Sequence, residues 1–169
     1  MTQMATLRKQ TLWQTNEMKV EELKAAYKLG KRDFSQIDLP KADLHKVRLT
    51  NINFSQAYLY RAILNDAHLE QAFLNKAILY CANLQGTQLF RASLIEANLE
   101  GANLAKANLN HANLYGANLR NANLNRAHLV WANLRGANLK NACLDRANLE
   151  GAKFCQTIMP DGTIRNDDC

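Results

Sequence analysis

Long apolar runs, prolines and paired-cysteine motifs are scarce in this chain of 169 residues, and each scarcity excludes a class of protein. No stretch approaches about 18 consecutive apolar residues, so no membrane-spanning helix is expected. Met1 to Trp13 lack a continuous apolar core and a small-residue cleavage site, which argues against a secretory signal. Only two prolines occur, and no Gly/Ser-rich linker divides the chain, so one domain is expected. Cys81, Cys143, Cys155 and Cys169 form no C-x-x-C pair and no Cys/His ligand spacing. They read as reduced thiols of a cytoplasmic protein, with a Cys155–Cys169 disulfide left open.

What is present is a period of five. From Phe34 through Leu39, Leu44 and Leu49 to Leu149 and Phe154, every fifth residue is Leu or Phe, in 25 successive units. Two residues earlier stands a small side chain, Ala in all units from Ala42 to Ala152 except at Val47, Ile52 and Thr87. Asn fills the position between them in the most regular stretch, as in Ala97-Asn98-Leu99 and Ala102-Asn103-Leu104. A helix turns about 100° per residue, so a five-residue stripe winds around it. In a strand side chains alternate, so an odd spacing sends successive leucines to opposite faces. A short extended segment followed by a turn, repeated, satisfies the pattern. Ala and Leu, two apart, then share the inner side while the other three positions face out.

These A-(N/D)-L-x-x units resemble the pentapeptide-repeat family over residues 32–159. The resemblance implies an all-β solenoid, a right-handed quadrilateral β-helix of about six coils with four pentapeptides per coil. At about 4.8 Å per coil the rod is about 30 Å tall. Residues 20 apart then lie above one another, and Asn98, Asn118 and Asn138 fall in one column suited to an amide ladder. Gly86, Gly101, Gly116, Gly136 and Gly151 all occupy the fifth position, at corners, and make no phosphate loop.

Open coil ends need covers. Residues 1–31 read as an N-terminal arm and capping helix, the helix spanning about 16–29. Asn16 is its cap, Glu17 lies in its first turn, Val20, Leu23 and Tyr27 share one side, and Gly30 ends it. Leu7, Leu12 and Trp13 form an upstream arm or short helix, with Trp13 expected to pack on the cap. Residues 160–169 read as a short polar tail that opens on a Pro160-Asp161-Gly162 turn and provides no helical cap. The resemblance implies dimerisation of some members through a C-terminal module, which has no counterpart in this tail, so a monomer is favoured over a dimer.

No set of side chains converges for catalysis. His68 and His128 share a column three coils apart, and His45 and His111 lie elsewhere. No catalytic, cofactor-binding or metal-binding residue is nominated, and no enzyme activity is expected. Departures from the repeat carry more information. Tyr58, Ile63, Phe73 and Ile78 stand at the outward middle position, and Tyr60, Tyr80, Phe90 and Ile95 at the fourth. On the coil, Tyr58, Tyr60, Ile78 and Tyr80 form one patch on one face. It reads either as a partner site or as side chains that pack on each other or under the arm. Lys106, Arg126 and Arg146 form a basic column, read as an anion contact or as splayed, solvated side chains.

The function expected from these readings is a non-enzymatic scaffold or adaptor for another protein, in a family where uncharacterised roles are common and cyanobacterial members abundant. The alternative taken from the family is a duplex-DNA mimic acting on DNA gyrase. Residues 34–154 carry 13 Lys/Arg against 8 Asp/Glu, a net charge of +5, which is the wrong sign for a DNA mimic. Nucleic-acid binding is disfavoured because no aromatic side chain interleaves with the basic columns.

Overall fold

The computed structural model describes residues 19–169. Asn16, Glu17 and the Leu7–Leu12–Trp13 arm lie outside the described residues. Parallel bridges join each middle-position residue to the one 20 further on, unbroken from Asp33↔Asn53 to Asn138↔Ile158. The coil therefore has four sides. They are termed here the first to fourth faces, centred in the first coil on Phe34, Leu39, Leu44 and Leu49. The central residues fill the axis: Leu39 to Leu139 are at most 1% exposed, and the alanines beside them are equally buried until Ala142.

Backbone accounting shows why the unit has five residues. In residues 97–101, the Asn98 N–H donates down to Ala77 O at 2.9 Å. The N–H groups of Leu99 and Gly101 donate up to Asn118 O at 2.8 Å and Arg120 O at 2.9 Å. Ala97 N–H closes the preceding corner on Leu94 O at 3.1 Å. The fifth donor, Glu100 N–H, points away from every neighbouring carbonyl, and Asn98 Oδ1 accepts it at 3.1 Å. All five N–H groups are thus paired, as a buried or half-buried backbone requires.

The middle Asn therefore has two duties. Its oxygen holds the N–H two residues on, and its amide donates to the coil below, as Asn133 Nδ2 does to Asn113 Oδ1 at 3.0 Å. We expect Asn118→Ala to cost about 1–2 kcal/mol, because it frees Arg120 N–H and the link to Asn98. Urea unfolding checks it; a change below about 0.3 kcal/mol sinks this account of the Asn position.

Each corner places its third turn residue at positive φ, as a type II turn demands. Gly101 has φ 67°, and non-glycine residues such as Trp131 (φ 59°) and Arg126 (φ 57°) adopt the same left-handed geometry. The fold thus tolerates side chains at a position glycine would fill with least strain, and those side chains radiate from the corners.

At the lower end, helix α1 occupies 19–28 of the described residues and lies across the first coil. Val20 and Leu23 are buried against it. Lys19 Nζ reaches Asp38 O at 3.4 Å on the second face, and Tyr27 donates to Thr50 O at 2.8 Å on the fourth. Gly30, at φ 96°, closes the helix: its N–H donates to Tyr27 O at 3.0 Å and that of Lys31 to Ala26 O at 3.0 Å.

The upper end corrects two expectations. The tail is not merely a turn and a polar strand of chain. β1 (Thr157–Ile158) pairs antiparallel with β2 (Ile164–Arg165), and the returning chain stands in for a further coil. Phe154 N–H donates to Asp168 Oδ2 at 2.8 Å and Gln156 N–H to Asn166 Oδ1 at 2.7 Å. The Arg165 guanidinium covers the Phe154 ring at 3.8 Å. This return brings Cys155 and Cys169 to a Cα separation of 4.9 Å, where they form a disulfide. The reading of four reduced thiols therefore fails for two of them, while Cys81 and Cys143 are free.

Three carboxylates sit in turns that favour their charge. His45 and its N–H hold Asp43 below the ordinary 3.8, Thr163 does the same for Asp161, and the Ser35 N–H for Asp33. Since the folded values are depressed, their stabilisation is complete above the unfolded value and is lost as pH falls through the lower folded ones. Carboxyl 13C titration is expected to place all three midpoints below 3.8. Midpoints at or above that value contradict the turn geometry.

Candidate interaction surface

The second face carries two vertical columns beside its buried leucines. Asp38, Tyr58, Ile78, Asn98, Asn118 and Asn138 bridge one above another. Pro40, Tyr60, Tyr80, Glu100, Arg120 and Lys140 occupy the fourth position of the same units. The structure brings the four expected patch residues together. Tyr58 and Tyr60 stack at 6.1 Å with planes 16° apart, and Tyr60 and Tyr80 at 5.9 Å and 4°. The rings pack on each other and still face out: Tyr58 is 42% and Tyr80 38% exposed. Arg61 places its guanidinium 5.3 Å from the Tyr60 ring centre.

This patch departs from the repeat at a cost. Tyr58 and Ile78 replace the Asn that elsewhere holds the outward N–H. Among the described residues the amides of Tyr60 and Tyr80 accordingly find no acceptor, whereas those of Glu100, Arg120 and Lys140 are held by Asn98, Asn118 and Asn138. The Tyr80 phenol is pushed above its ordinary value chiefly by the Cys81 thiol, with Glu100, burial and Tyr60 adding to it, so it stays a donor.

The basic residues divide the rod. Residues 34–100 hold six Lys/Arg and six Asp/Glu, while 101–154 hold seven and two, so the whole net charge of +5 lies in the upper half. Lys106, Arg126 and Arg146 form the expected corner column, all exposed, and none has a carboxylate within 4.0 Å among the described residues. Exposed Ile63 (40%) and Phe73 (51%) flank the tyrosines on adjoining faces. Phe90, by contrast, is half-buried between His111, edge-on at 5.6 Å, and Arg91.

Two further exposed rings went unrecognised in the sequence: Tyr115 at 50% and Trp131 at 56%. Their fourth and fifth positions in the register are the signal that finds them. Two close pairs were also missed, His45 Nδ1 to Asp43 at 2.6 Å and His68 Nδ1 to Glu70 at 3.0 Å. Each joins the middle and fourth positions of a single unit. Among the described residues no three His, Cys, Asp or Glu side chains gather as a metal site.

A family model for pentapeptide repeats matches eight copies, over residues 28–56, 57–94, 82–121, 112–151 and 122–159. The chain belongs to the pentapeptide-repeat family. Membership implies the right-handed quadrilateral β-helix, consistent with the 20-residue bridges. One similar solved pentapeptide-repeat protein is HetL from the cyanobacterium Nostoc, involved in heterocyst differentiation regulation. It is 28% identical, with 86% of this chain and 98% of HetL covered and a TM-score of 0.47. A pentapeptide-repeat protein of the Arabidopsis thaliana thylakoid lumen is 30% identical over 73% of this chain and 72% of its own, with a TM-score of 0.39. Rfr23 from the cyanobacterium Cyanothece is 30% identical over 72% of this chain and 90% of its own, with a TM-score of 0.33. No curated protein matches the chain.

Proposed function

We propose that this pentapeptide-repeat protein is a non-enzymatic scaffold or adaptor that docks another protein, as a monomer, on its second face. The observation that carries the reading is the exposed Tyr58–Tyr60–Tyr80 stack, with Ile78 beside it, where the repeat calls for Asn. The substitution forfeits Asx bonds and amide-ladder links, which mutual ring stacking replaces only in part; apolar contact with a partner offsets the rest. Action on gyrase as a DNA mimic is disfavoured by the net charge of +5 and by its concentration at one end.

Affinity capture from the native cell, with Tyr60→Asn/Tyr80→Asn beside the wild type, tests the reading. The expected result is loss of the captured partner by about tenfold or more with unchanged unfolding. Equal capture by a folded double variant overturns it. We also propose the cytoplasm as its site of action, although the disulfide removes two of the four thiols behind that expectation. No described helix is long and apolar enough to cross a membrane. Fractionation with trapping of thiols tests the location, and recovery from an oxidising compartment overturns it.

A further inference from the structure

The second face is apolar below and cationic above, along a single line. Tyr60 and Tyr80 lie at two successive levels, Glu100 at the next, and Arg120 and Lys140 at the two above. Arg120 and Lys140 are exposed, and among the described residues neither has a carboxylate partner within 4.0 Å. Glu100 is the acid that faces this line from within, and its Oε2 is engaged by Asn118 Nδ2 at 3.1 Å. We infer that this face binds an extended acidic segment of a partner protein, its apolar end seated on the Tyr60–Tyr80 stack and its acidic end held by Arg120 and Lys140. The inference rests on the adaptor reading and specifies the partner's chemistry.

The spacing fixes a pattern. Coils rise about 4.8 Å, so Arg120 stands about 10 Å and Lys140 about 14 Å above Tyr80. An extended chain covers those distances in about three and about four residues. Side chains of an extended segment alternate between faces, so the position four on, which faces the rod together with the apolar residue, carries the Asp or Glu, level with Lys140 and within reach of Arg120. Glu100 repels a carboxylate placed nearer. The unheld amides of Tyr60 and Tyr80 supply donors for the segment's carbonyls.

A single-stranded nucleic acid is the rival occupant, since it too wants aromatic rings and cations. The ring geometry disfavours it. The three tyrosines stack with near-parallel planes, so each ring turns at least one face to another ring. Base stacking needs free faces, whereas aliphatic side chains pack well on edges.

The experiment pans a random 12-residue phage-displayed peptide library on the wild-type chain after subtraction on Tyr60→Asn/Tyr80→Asn. Enriched peptides are expected to carry an apolar residue with Asp or Glu four positions on. Synthetic versions should bind Arg120→Glu/Lys140→Glu about tenfold more weakly, and lose affinity for the wild type at roughly 0.5 M salt. Circular dichroism and melting of both variants confirm that they fold. Absence of enrichment, enrichment of peptides without acids, unchanged binding to Arg120→Glu/Lys140→Glu, or tighter binding of oligothymidine each overturns the inference. A native partner that needs the tyrosines yet binds Arg120→Glu/Lys140→Glu unchanged leaves the adaptor reading standing and removes only this one.

Discussion

Leu104→Ala is expected to lower the unfolding free energy by about 3–4 kcal/mol, measured by urea denaturation. Leu104 is wholly buried, with Leu84 below and Leu124 above, both equally buried. Stacked coils contact only their nearest neighbours, so the cavity cannot be closed by movement elsewhere. Leu149 occupies the same position at the upper end but is only partly buried. The same change there removes less contact and leaves room for collapse, so about 1 kcal/mol is expected. The contrast between the two sites is the test. Equal losses would mean that the axis does not carry the stability assigned to it.

Opening the Cys155–Cys169 disulfide is expected to cost about 3 kcal/mol, given the 14-residue separation it closes. Cys169→Ser should show that loss without reductant, and the difference from wild type should vanish once both are reduced. A thiol assay on the folded, oxidised chain should count two cysteines, Cys81 and Cys143. Four reactive thiols would remove the cross-link from the account. The cost falls on the upper end, where Asp168 and Asn166 supply the bonds of a missing coil to Phe154 and Gln156.

The axis was legible in the sequence because burial there is strictly periodic: Leu39 to Leu139 are inward without exception. The columns were legible too, since a coil of four pentapeptides sets the 20-residue spacing that places Tyr60 under Tyr80. The helix face was readable at Val20, Leu23 and Tyr27 for the same reason of period. The second duty of Asn98 and its equivalents was not, because it depends on where the orphan N–H of the fourth position points. The upper cap was also hidden. Asp168, Asn166 and Arg165 act through hydrogen bonds and ring contact made by a chain reversal, which leaves no hydrophobic pattern. For the patch, the sequence placed the four residues together but left partner contact and mutual packing as rivals; the rings are both stacked and exposed.

The 20-residue spacing has a consequence for changes of length. Removing or adding 20 residues within the rod leaves every column above the change in line with those below. A change of five keeps the inward pattern intact, so the chain still coils, but turns the entire upper stack by a quarter relative to the lower. Placed between Glu100 and Arg120, such a change would carry Arg120 and Lys140 off the face that bears Tyr60 and Tyr80. The fold is thus indifferent to multiples of five, while anything that spans several levels of one face is sensitive to all but multiples of 20. Length variation of this kind separates what the scaffold needs from what a partner reads.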